Sequence, residues 1–499
     1  MNAWRWYGLA IFSGALLPLA FAPLQWIIFA FIAPAIFFHF CYHTSPRQAA
    51  RLGYVFGLGF FGVGVSWVYV AIHDFGFTGA FVATLLTALF VAFLALFFAG
   101  QGWLSSYLLQ RLSKHRHALL PAALLLFPSI WVLFEWIRDW FLTGFPWLSL
   151  GYSQSDTWLN GFAPVLGVFG ISWVVAILAG ILWTVVAYRQ YRLVLPGLLL
   201  VALGFGLQKV EWSQPTGKVL RVSLIQGDVP QATKWDPAQI ALRKETYARL
   251  TEKLWDVSDL IVWPENAMTQ FYHELRKGYL DPLSKQAQQH HTELVIGTPV
   301  MNLDSGEYYS SFVSLGPSRG VYNKRHLVPF GEFVPLQGLL RGLVKFFDLP
   351  MSGFSPGESH QPLLEVAGQP LATSICYEDA FGEEVIQSLP RATLLLNGSN
   401  NAWYGHSWAP NQHLQISRMR AIETSRDLIR ATTNGISAYV DYHGRIMART
   451  PQFKQAVLTH TVQPRIGETP YVFWGNRGIL FLLMASLVLA FRRRLFTTS

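Results

Sequence analysis

Eight long apolar runs constrain the fold of this chain more than any other feature of its sequence. A helix needs about 20 predominantly apolar residues to cross the hydrocarbon core of a bilayer. Only 13% of the 499 residues are charged, whereas soluble domains carry about a quarter. We therefore predict a polytopic membrane protein, an α-helical bundle with about eight spans. The runs cover residues 4–22, 25–42, 54–72, 80–100, 119–140, 163–186, 193–207 and 471–491.

The basic residues of the short loops predict the orientation of these spans. The net charge is +9, and Lys and Arg are enriched in cytoplasmic loops of membrane proteins. Because the basic residues follow the even-numbered runs, we expect both termini in the cytoplasm and the long polar segment before the last run in the periplasm. This distribution also argues against nucleic-acid binding. The residues are Arg47, Arg51, Arg111, Lys114, Arg116, Arg189, Arg192 and Arg492 to Arg494.

The polar segment before the last run predicts a separate α/β domain. Short apolar runs alternate there with helical stretches, which is typical of an α/β or layered α-β-β-α domain. We expect about seven transmembrane helices in 1–212, the polar domain in 213–468, and the last helix with a basic tail in 469–499. The predicted strands are 219–226, 260–263, 294–297, 311–315, 371–376 and 393–396, and the predicted helices are 237–255 and 412–430.

A thiol at the end of a predicted strand is the first candidate for chemistry. Cys376 ends the apolar run 371–375, and polar residues follow it at once. A thiol at the mouth of a strand, beside carboxylates, suits a positioned nucleophile. The alternative is a small buried hydrophobic residue, as free cysteines often are. The only other cysteine, Cys41, lies in an apolar run, which argues against a disulfide or a cysteine metal site.

Two further stretches supply the other groups that acyl transfer needs. Glu265 lies just past a predicted strand, and Lys324 and Glu332 lie in the proline-punctuated loop 322–335. A thiol nucleophile requires a base, and the developing oxyanion requires a positive donor. Each residue alone has an ordinary alternative. Glu265 could be a carboxylate at a helix N-terminus, Lys324 a solvated loop charge, and Glu332 the surface partner of that charge. A histidine could instead be the base for the thiol, and the candidates are His326, His406 and His413.

The local sequences around these residues resemble the three signatures of the nitrilase, or carbon–nitrogen hydrolase, superfamily. They read Trp-Pro-Glu ending at Glu265, Tyr-Asn-Lys-Arg-His-Leu-Val-Pro-Phe-Gly-Glu ending at Glu332, and Ser-Ile-Cys-Tyr-Glu around Cys376. With apolar runs on both sides, nearly the whole chain is similar to the family of bacterial apolipoprotein N-acyltransferases. The sequence of the stretch around Lys324 is specific to that family.

The resemblance implies a fold, a reaction and a location. The fold is a four-layer α-β-β-α sandwich of the nitrilase type. The reaction moves an acyl chain from the sn-1 position of a membrane phospholipid, through a thioester, to the α-amine of diacylglyceryl-cysteine on an apolipoprotein. We expect a monomer in the bacterial inner membrane that needs no metal or cofactor and binds no nucleic acid. The implied catalytic triad is Glu265, Lys324 and Cys376.

Supporting residues are implied around this triad. Glu332 would steady the lysine, Tyr377 and Glu378 would shape the surroundings of the thiol, and Trp235 would help to hold the substrate. Separately, the apolar residues of 336–347 follow helical spacing, which predicts an interfacial arm or lid or, alternatively, an ordinary packed helix.

Two other functions stay open. One is a membrane-tethered amidase or nitrilase that uses water as the acceptor. The other is a lipid-binding or transport protein without catalysis.

Overall fold

The structure, a computed structural model, describes residues 3–76, 78–112, 119–333 and 353–492, and it contains two compact units. The first comprises the described parts of Met1–His73, Thr78–Glu211 and Phe473–Ser499. The second comprises those of Asp74–Phe77 and Trp212–Val472. The described strands all lie in the second unit.

Apolar helices of the first unit occupy the predicted runs. Among the described residues, three segments are long and apolar enough to cross a membrane, Ala80–Leu112, Leu119–Thr143 and Trp158–Tyr188. The bent pair Pro46–Gly64 and Val68–Phe75 would make a fourth. The membrane character is therefore supported, while the total of about eight spans stays a prediction. The helices are Ala3–Leu16, Phe29–His43, Pro46–Gly64, Val68–Val70, Ala80–Leu112, Leu119–Pro121, Ala122–Leu126, Phe127–Trp140, Ala163–Tyr188, Val194–Leu207 and Arg477–Arg492, with Ala71–Phe75 and Pro470–Trp474 at the boundaries of the unit.

Small residues let the helices of the first unit pack with their backbones in contact. A Cβ on Gly59 would lie 2.2 Å from the carbonyl oxygen of Ile11, and one on Gly53 would lie 2.2 Å from that of Phe98. Helices in membranes commonly approach through such small residues, because lipid provides no hydrophobic force between them. These two glycines of the helix Pro46–Gly64 therefore let it pack closely against neighbouring helices.

Two buried ionisable side chains in the first unit hold the loop that follows their helix. Glu135 accepts a hydrogen bond at Oε1 from the backbone N–H of Leu150, at 2.8 Å. Arg138 donates from Nη1 to the carbonyl oxygen of Phe145 at 2.8 Å, and also to that of Trp147. Ionisable groups at membrane depth are costly unless paired. Here their partners include backbone groups of one loop.

Two six-stranded sheets form the centre of the second unit. The strands are β1 Ser213–Pro215, β2 Leu220–Gln226, β3 Leu260–Val262, β4 Glu293–Met301, β5 Tyr308–Ser314, β6 Gly320–Asn323, β7 Leu364–Val366, β8 Gln369–Ile375, β9 Leu394–Ser399, β10 Leu428–Thr432, β11 Ala438–Val440, β12 Ile446–Arg449, β13 Ala456–Val462 and β14 Arg465–Gly467. One sheet has the order β13-β2-β3-β4-β5-β6, the other β12-β11-β10-β9-β8-β7, and β1 pairs with β14. Buried residues of both sheets form one apolar core.

Helices cover the outer face of each sheet. Tyr247 and Leu283, from Ile240–Glu252 and Asp281–Gln289, pack in one apolar cluster with residues of the first sheet. Leu414, from Ala409–Thr424, packs with residues of the second sheet. The layers are therefore α-β-β-α, as predicted. Shorter helices are Tyr272–Leu275, Arg276–Leu280 and Gly382–Val385.

Some predicted elements require correction. The predicted helix 412–430 ends at Thr424, where Ser425 takes a left-handed conformation with φ 52° that closes the helix. Leu428–Thr432 is instead strand β10, which pairs in parallel with β9. The predicted loop 322–335 begins inside strand β6. The predicted arm 336–347 lies outside the described residues.

Candidate active site

Cys376 lies at a sharp turn where β8 ends and a short 3-10 helix, Cys376–Ala380, begins. Its φ is 53°, a left-handed conformation that costs a non-glycine residue about 1–3 kcal/mol. The side chain is buried, with 6% exposed. Burial raises the pKa of the thiol, and the charge of Glu265 adds to this while Lys324 opposes it. The thiol therefore stays protonated at neutral pH until a base removes its proton.

Lys324 lies between two buried carboxylates. Its Nζ donates to Glu332 Oε1 at 2.7 Å and to Glu265 Oε1 at 3.2 Å. Burial alone lowers the pKa of Lys324, but the two carboxylates outweigh it and hold the pKa well above its ordinary value. The second oxygen of Glu265 accepts from the N–H of Asn400 at 2.8 Å, and that of Glu332 from Val328 at 2.7 Å. A fixed cation thus lies at the centre of the cluster.

Strand ends bring the predicted triad together. Glu265 follows β3 and Lys324 follows β6 of the first sheet, whereas Cys376 follows β8 of the second. Glycine at position 297 of β4 permits the turn before Glu265 to approach, because a Cβ there would lie 2.1 Å from the carbonyl oxygen of Pro264. The charges of Glu265 and Lys324 both act on the Cys376 thiol. The geometry suits acid–base and nucleophilic chemistry at one point.

The carboxylate of Glu378 joins the turn of the thiol to the backbone beyond the lysine. Its Oε2 accepts from the N–H of Ile375 at 2.6 Å. Its Oε1 accepts from the N–H of Arg325 at 2.6 Å and from that of His326 at 3.1 Å. Only 1% of Glu378 is exposed. This residue therefore fixes the relative position of the segment that carries Cys376 and the segment that carries Lys324.

The remaining predicted residues, Tyr377 and Trp235, have apolar neighbours. Tyr377 is buried, and its ring centroid is 5.0 Å from that of Phe381. Trp235 is half-buried and packs in an apolar cluster whose members flank the charged residues in sequence. The cluster also contains Tyr308, Leu327, Phe333, Phe354 and Trp403.

Lys234 is a buried amine that the sequence did not reveal. Its Nζ lies 3.4 Å from the carbonyl oxygen of Glu265 and 3.5 Å from Oγ1 of Thr433. Burial lowers its pKa to about 7, against the opposing charge of Glu265. The only available sequence signal was its neighbour Trp235, which marks the segment but not the lysine.

The alternative histidine bases have other partners. The Nε2 of His413 lies 3.2 Å from the carbonyl oxygen of Cys376, so the ring faces the main chain of that residue. The Nδ1 of His326 lies 2.6 Å from a carboxylate oxygen of Glu384. The ring of His406 is exposed and packs 4.0 Å from that of Phe453. Across the described ranges, no group of three or more His, Cys, Asp or Glu residues is placed to hold a metal ion.

Comparisons with known proteins match both units. Residues 13–181 match the family described as apolipoprotein N-acyltransferase N-terminal domain, and residues 221–471 match the carbon-nitrogen hydrolase family. A Methylococcus capsulatus protein named apolipoprotein N-acyltransferase is 43% identical over 97% of this chain and 96% of its own length. A Coxiella burnetii protein of the same name is 40% identical over 97% of this chain and 99% of its own length. One from Azotobacter vinelandii is 41% identical over 97% of this chain and 95% of its own length. The chain therefore belongs to the apolipoprotein N-acyltransferase family, and its second unit carries a carbon–nitrogen hydrolase domain.

Proposed function

We propose that this chain transfers an acyl chain from the sn-1 position of a membrane phospholipid to the N-terminal amine of diacylglyceryl-cysteine on apolipoproteins. Family membership makes it an acyltransferase that acts in lipoprotein N-acylation, with lipid and lipoprotein substrates. The observation that carries the mechanism is the buried Lys324 cation, held by Glu265 and Glu332 and acting on the Cys376 thiol.

The first half-reaction forms a thioester. Glu265 accepts the proton of Cys376, and the thiolate attacks the ester carbonyl of the phospholipid. Lys324 and the backbone N–H of Tyr377 stabilise the oxyanion. The ester C–O bond breaks, Glu265 returns the proton to the departing oxygen, and lysophospholipid leaves. Glu332 keeps Lys324 in place throughout, through its 2.7 Å hydrogen bond.

The second half-reaction consumes the thioester. The neutral α-amine of the diacylglyceryl-cysteine attacks the thioester carbonyl, and the same two donors stabilise the oxyanion. Glu265 takes a proton from the attacking nitrogen, the C–S bond breaks, and the proton passes to the thiolate of Cys376. The thioester stores the activation of the acyl group, so the residues of the site suffice for the step.

The membrane unit brings this chemistry to its lipid substrates. We propose about eight spans, with 1–212 and 469–499 in the bacterial inner membrane, 213–468 in the periplasm and both termini in the cytoplasm. The enzyme acts as a monomer. The basic residues of the loops support this orientation. Reporter fusions after Arg111 and near Gly316 should show cytoplasm and periplasm respectively, and a cytoplasmic signal near Gly316 would overturn it.

A trapped acyl-enzyme tests the proposed reaction. Purified protein given phospholipid without acceptor should gain one acyl chain, because water must be kept from the thioester for it to persist. Neutral hydroxylamine should release the chain, and Cys376→Ala should not acquire it. The matched control is Cys41→Ala, which removes the other thiol and should acylate normally.

The acceptor then separates transferase from hydrolase. A diacylglyceryl peptide with a free amine should discharge the trapped enzyme, and the N-acetylated peptide should not. Continuous release of free fatty acid, with no trapped intermediate, would establish the water-using alternative. Absence of any acylation would leave only lipid binding.

A further inference from the structure

A buried polar network holds the main chain of Cys376 from behind. The carbonyl oxygen of Cys376 accepts from Nδ2 of Asn397 at 3.3 Å and from Nε2 of His413 at 3.2 Å. Both side chains are buried, with 0% and 1% exposed. A left-handed cysteine persists only where its surroundings over-determine it, and two donors on one carbonyl oxygen meet that requirement.

Hydrogen bonding defines which nitrogen of His413 carries the proton. Its Nε2 lies between two acceptors, the Cys376 carbonyl oxygen and Oδ1 of Asp379 at 2.8 Å. Its Nδ1 lies 3.1 Å from Nδ2 of Asn401. The imidazole is therefore neutral, with the proton on Nε2, and it accepts at Nδ1. Burial and the charge of Arg430 lower the pKa of His413, which keeps this form at neutral pH.

Arg430 orients the two amides of the network. Its Nη1 donates to Oδ1 of Asn397, and its Nη2 donates to Oδ1 of Asn401 at 3.2 Å. Each amide oxygen is thus occupied, so each amide N–H group points the other way, toward Cys376 and toward His413. Arg430 is charge-balanced by Oδ2 of Asp379 at 3.2 Å.

The peptide group held by this network carries the oxyanion donor. The carbonyl of Cys376 and the N–H of Tyr377 belong to one planar peptide unit and point in opposite directions. Fixing the carbonyl therefore fixes the N–H. Hydrogen bonds accepted by the carbonyl also polarise the peptide and strengthen its N–H as a donor.

We propose that His413 and Asn397 are positioning residues that aim the Tyr377 N–H at the oxyanion. Both residues act through the main chain of Cys376. The inference rests on the proposed function, because that N–H matters only if an oxyanion forms.

Two reactions of the same thiol test it. Acylation by phospholipid passes through an oxyanion, whereas alkylation by iodoacetamide is a displacement that forms none. His413→Leu should slow single-turnover acylation by at least ~10-fold, below the ~100-fold usual for losing a donor outright. Its alkylation rate should stay within about threefold of wild type, since Asn397 still binds the Cys376 carbonyl oxygen and the thiol keeps its base. His413→Gln, which keeps an amide N–H, should recover part of the acylation rate.

The controls make each outcome decisive. His460→Leu makes the same change at a ring packed on Tyr439, outside the network, and should acylate at the wild-type rate. Where His413→Leu does not fold, Asn397→Ala provides the same comparison. Acylation at the wild-type rate, or an equal fall of acylation and alkylation, would overturn the inference. Failure of the wild type itself to acylate would instead reject the proposed function.

Discussion

The two units bury charged side chains in different ways. In the second unit, Lys324 faces Glu265 and Glu332, so charge faces charge. In the first unit, the charges of Glu135 and Arg138 also interact, but both side chains bind backbone N–H or carbonyl groups of a loop. A charge held by other charges has a pKa that shifts when a partner changes, which suits proton transfer. A charge held by backbone groups ties a loop in place.

The largest effect is expected at Lys324, which lies between two carboxylates. Lys324→Met should lower the steady-state rate of transfer to a lipopeptide by at least ~100-fold, since it removes a charged oxyanion donor. It also leaves two buried carboxylates without their cation. Lys285→Met, at an exposed lysine of the second unit, should transfer normally. A loss under ~10-fold at Lys324 would remove this residue from the chemistry.

Lys234 differs from Lys324, because burial lowers the pKa of Lys234. The pKa is about 7 in the folded protein against an ordinary 10.5, so between these values the unfolded chain binds more protons than the folded one. The contribution of Lys234 to stability therefore rises with pH across this window. Lys234→Met should be more stable than wild type at pH 7, and the difference should shrink by about 3 kcal/mol by pH 10.

Unfolding of detergent-solubilised protein at pH 7 to 10 measures this effect. Only the difference between wild type and variant counts, because other groups titrate in both. Lys285→Met should show no such dependence. A difference that stays constant with pH would mean that Lys234 is charged in the folded state.

The smallest effect is expected in the first unit. Arg138→Gln weakens the hydrogen bonds to the carbonyl oxygens of Phe145 and Trp147, and side-chain hydrogen bonds within membranes are worth about 0.6 to 2 kcal/mol. The unfolding midpoint should fall modestly, and the loop around Phe145 should become more sensitive to proteases. Arg189→Gln, at an exposed helix end, is the control. Unchanged protection of the loop would show that Arg138 does not hold it.

The apolar runs predicted the helices of the first unit, and the local motifs predicted the residues of the proposed triad, because apolar length and local motifs are short-range signals. They could not locate Lys234, since its burial depends on contacts with Glu265 and Thr433, far along the chain. The wrong prediction of one helix over 412–430 hid the position of Arg430. As part of a helix, Arg430 has no relation to Asn397, whereas in β10 it lies directly beside it, in register.

Glu378 narrows the range of substitutions that this site tolerates. One carboxylate binds the N–H of Ile375, before the thiol, and that of Arg325, after the lysine. The length of the Glu378 side chain therefore sets the distance between the segment before the thiol and the segment after the lysine. Aspartate is one methylene shorter and cannot serve both segments unless one of them moves, and glutamine replaces one acceptor oxygen with a donor. We therefore expect no conservative replacement at this position, although Glu378 is not a member of the proposed triad.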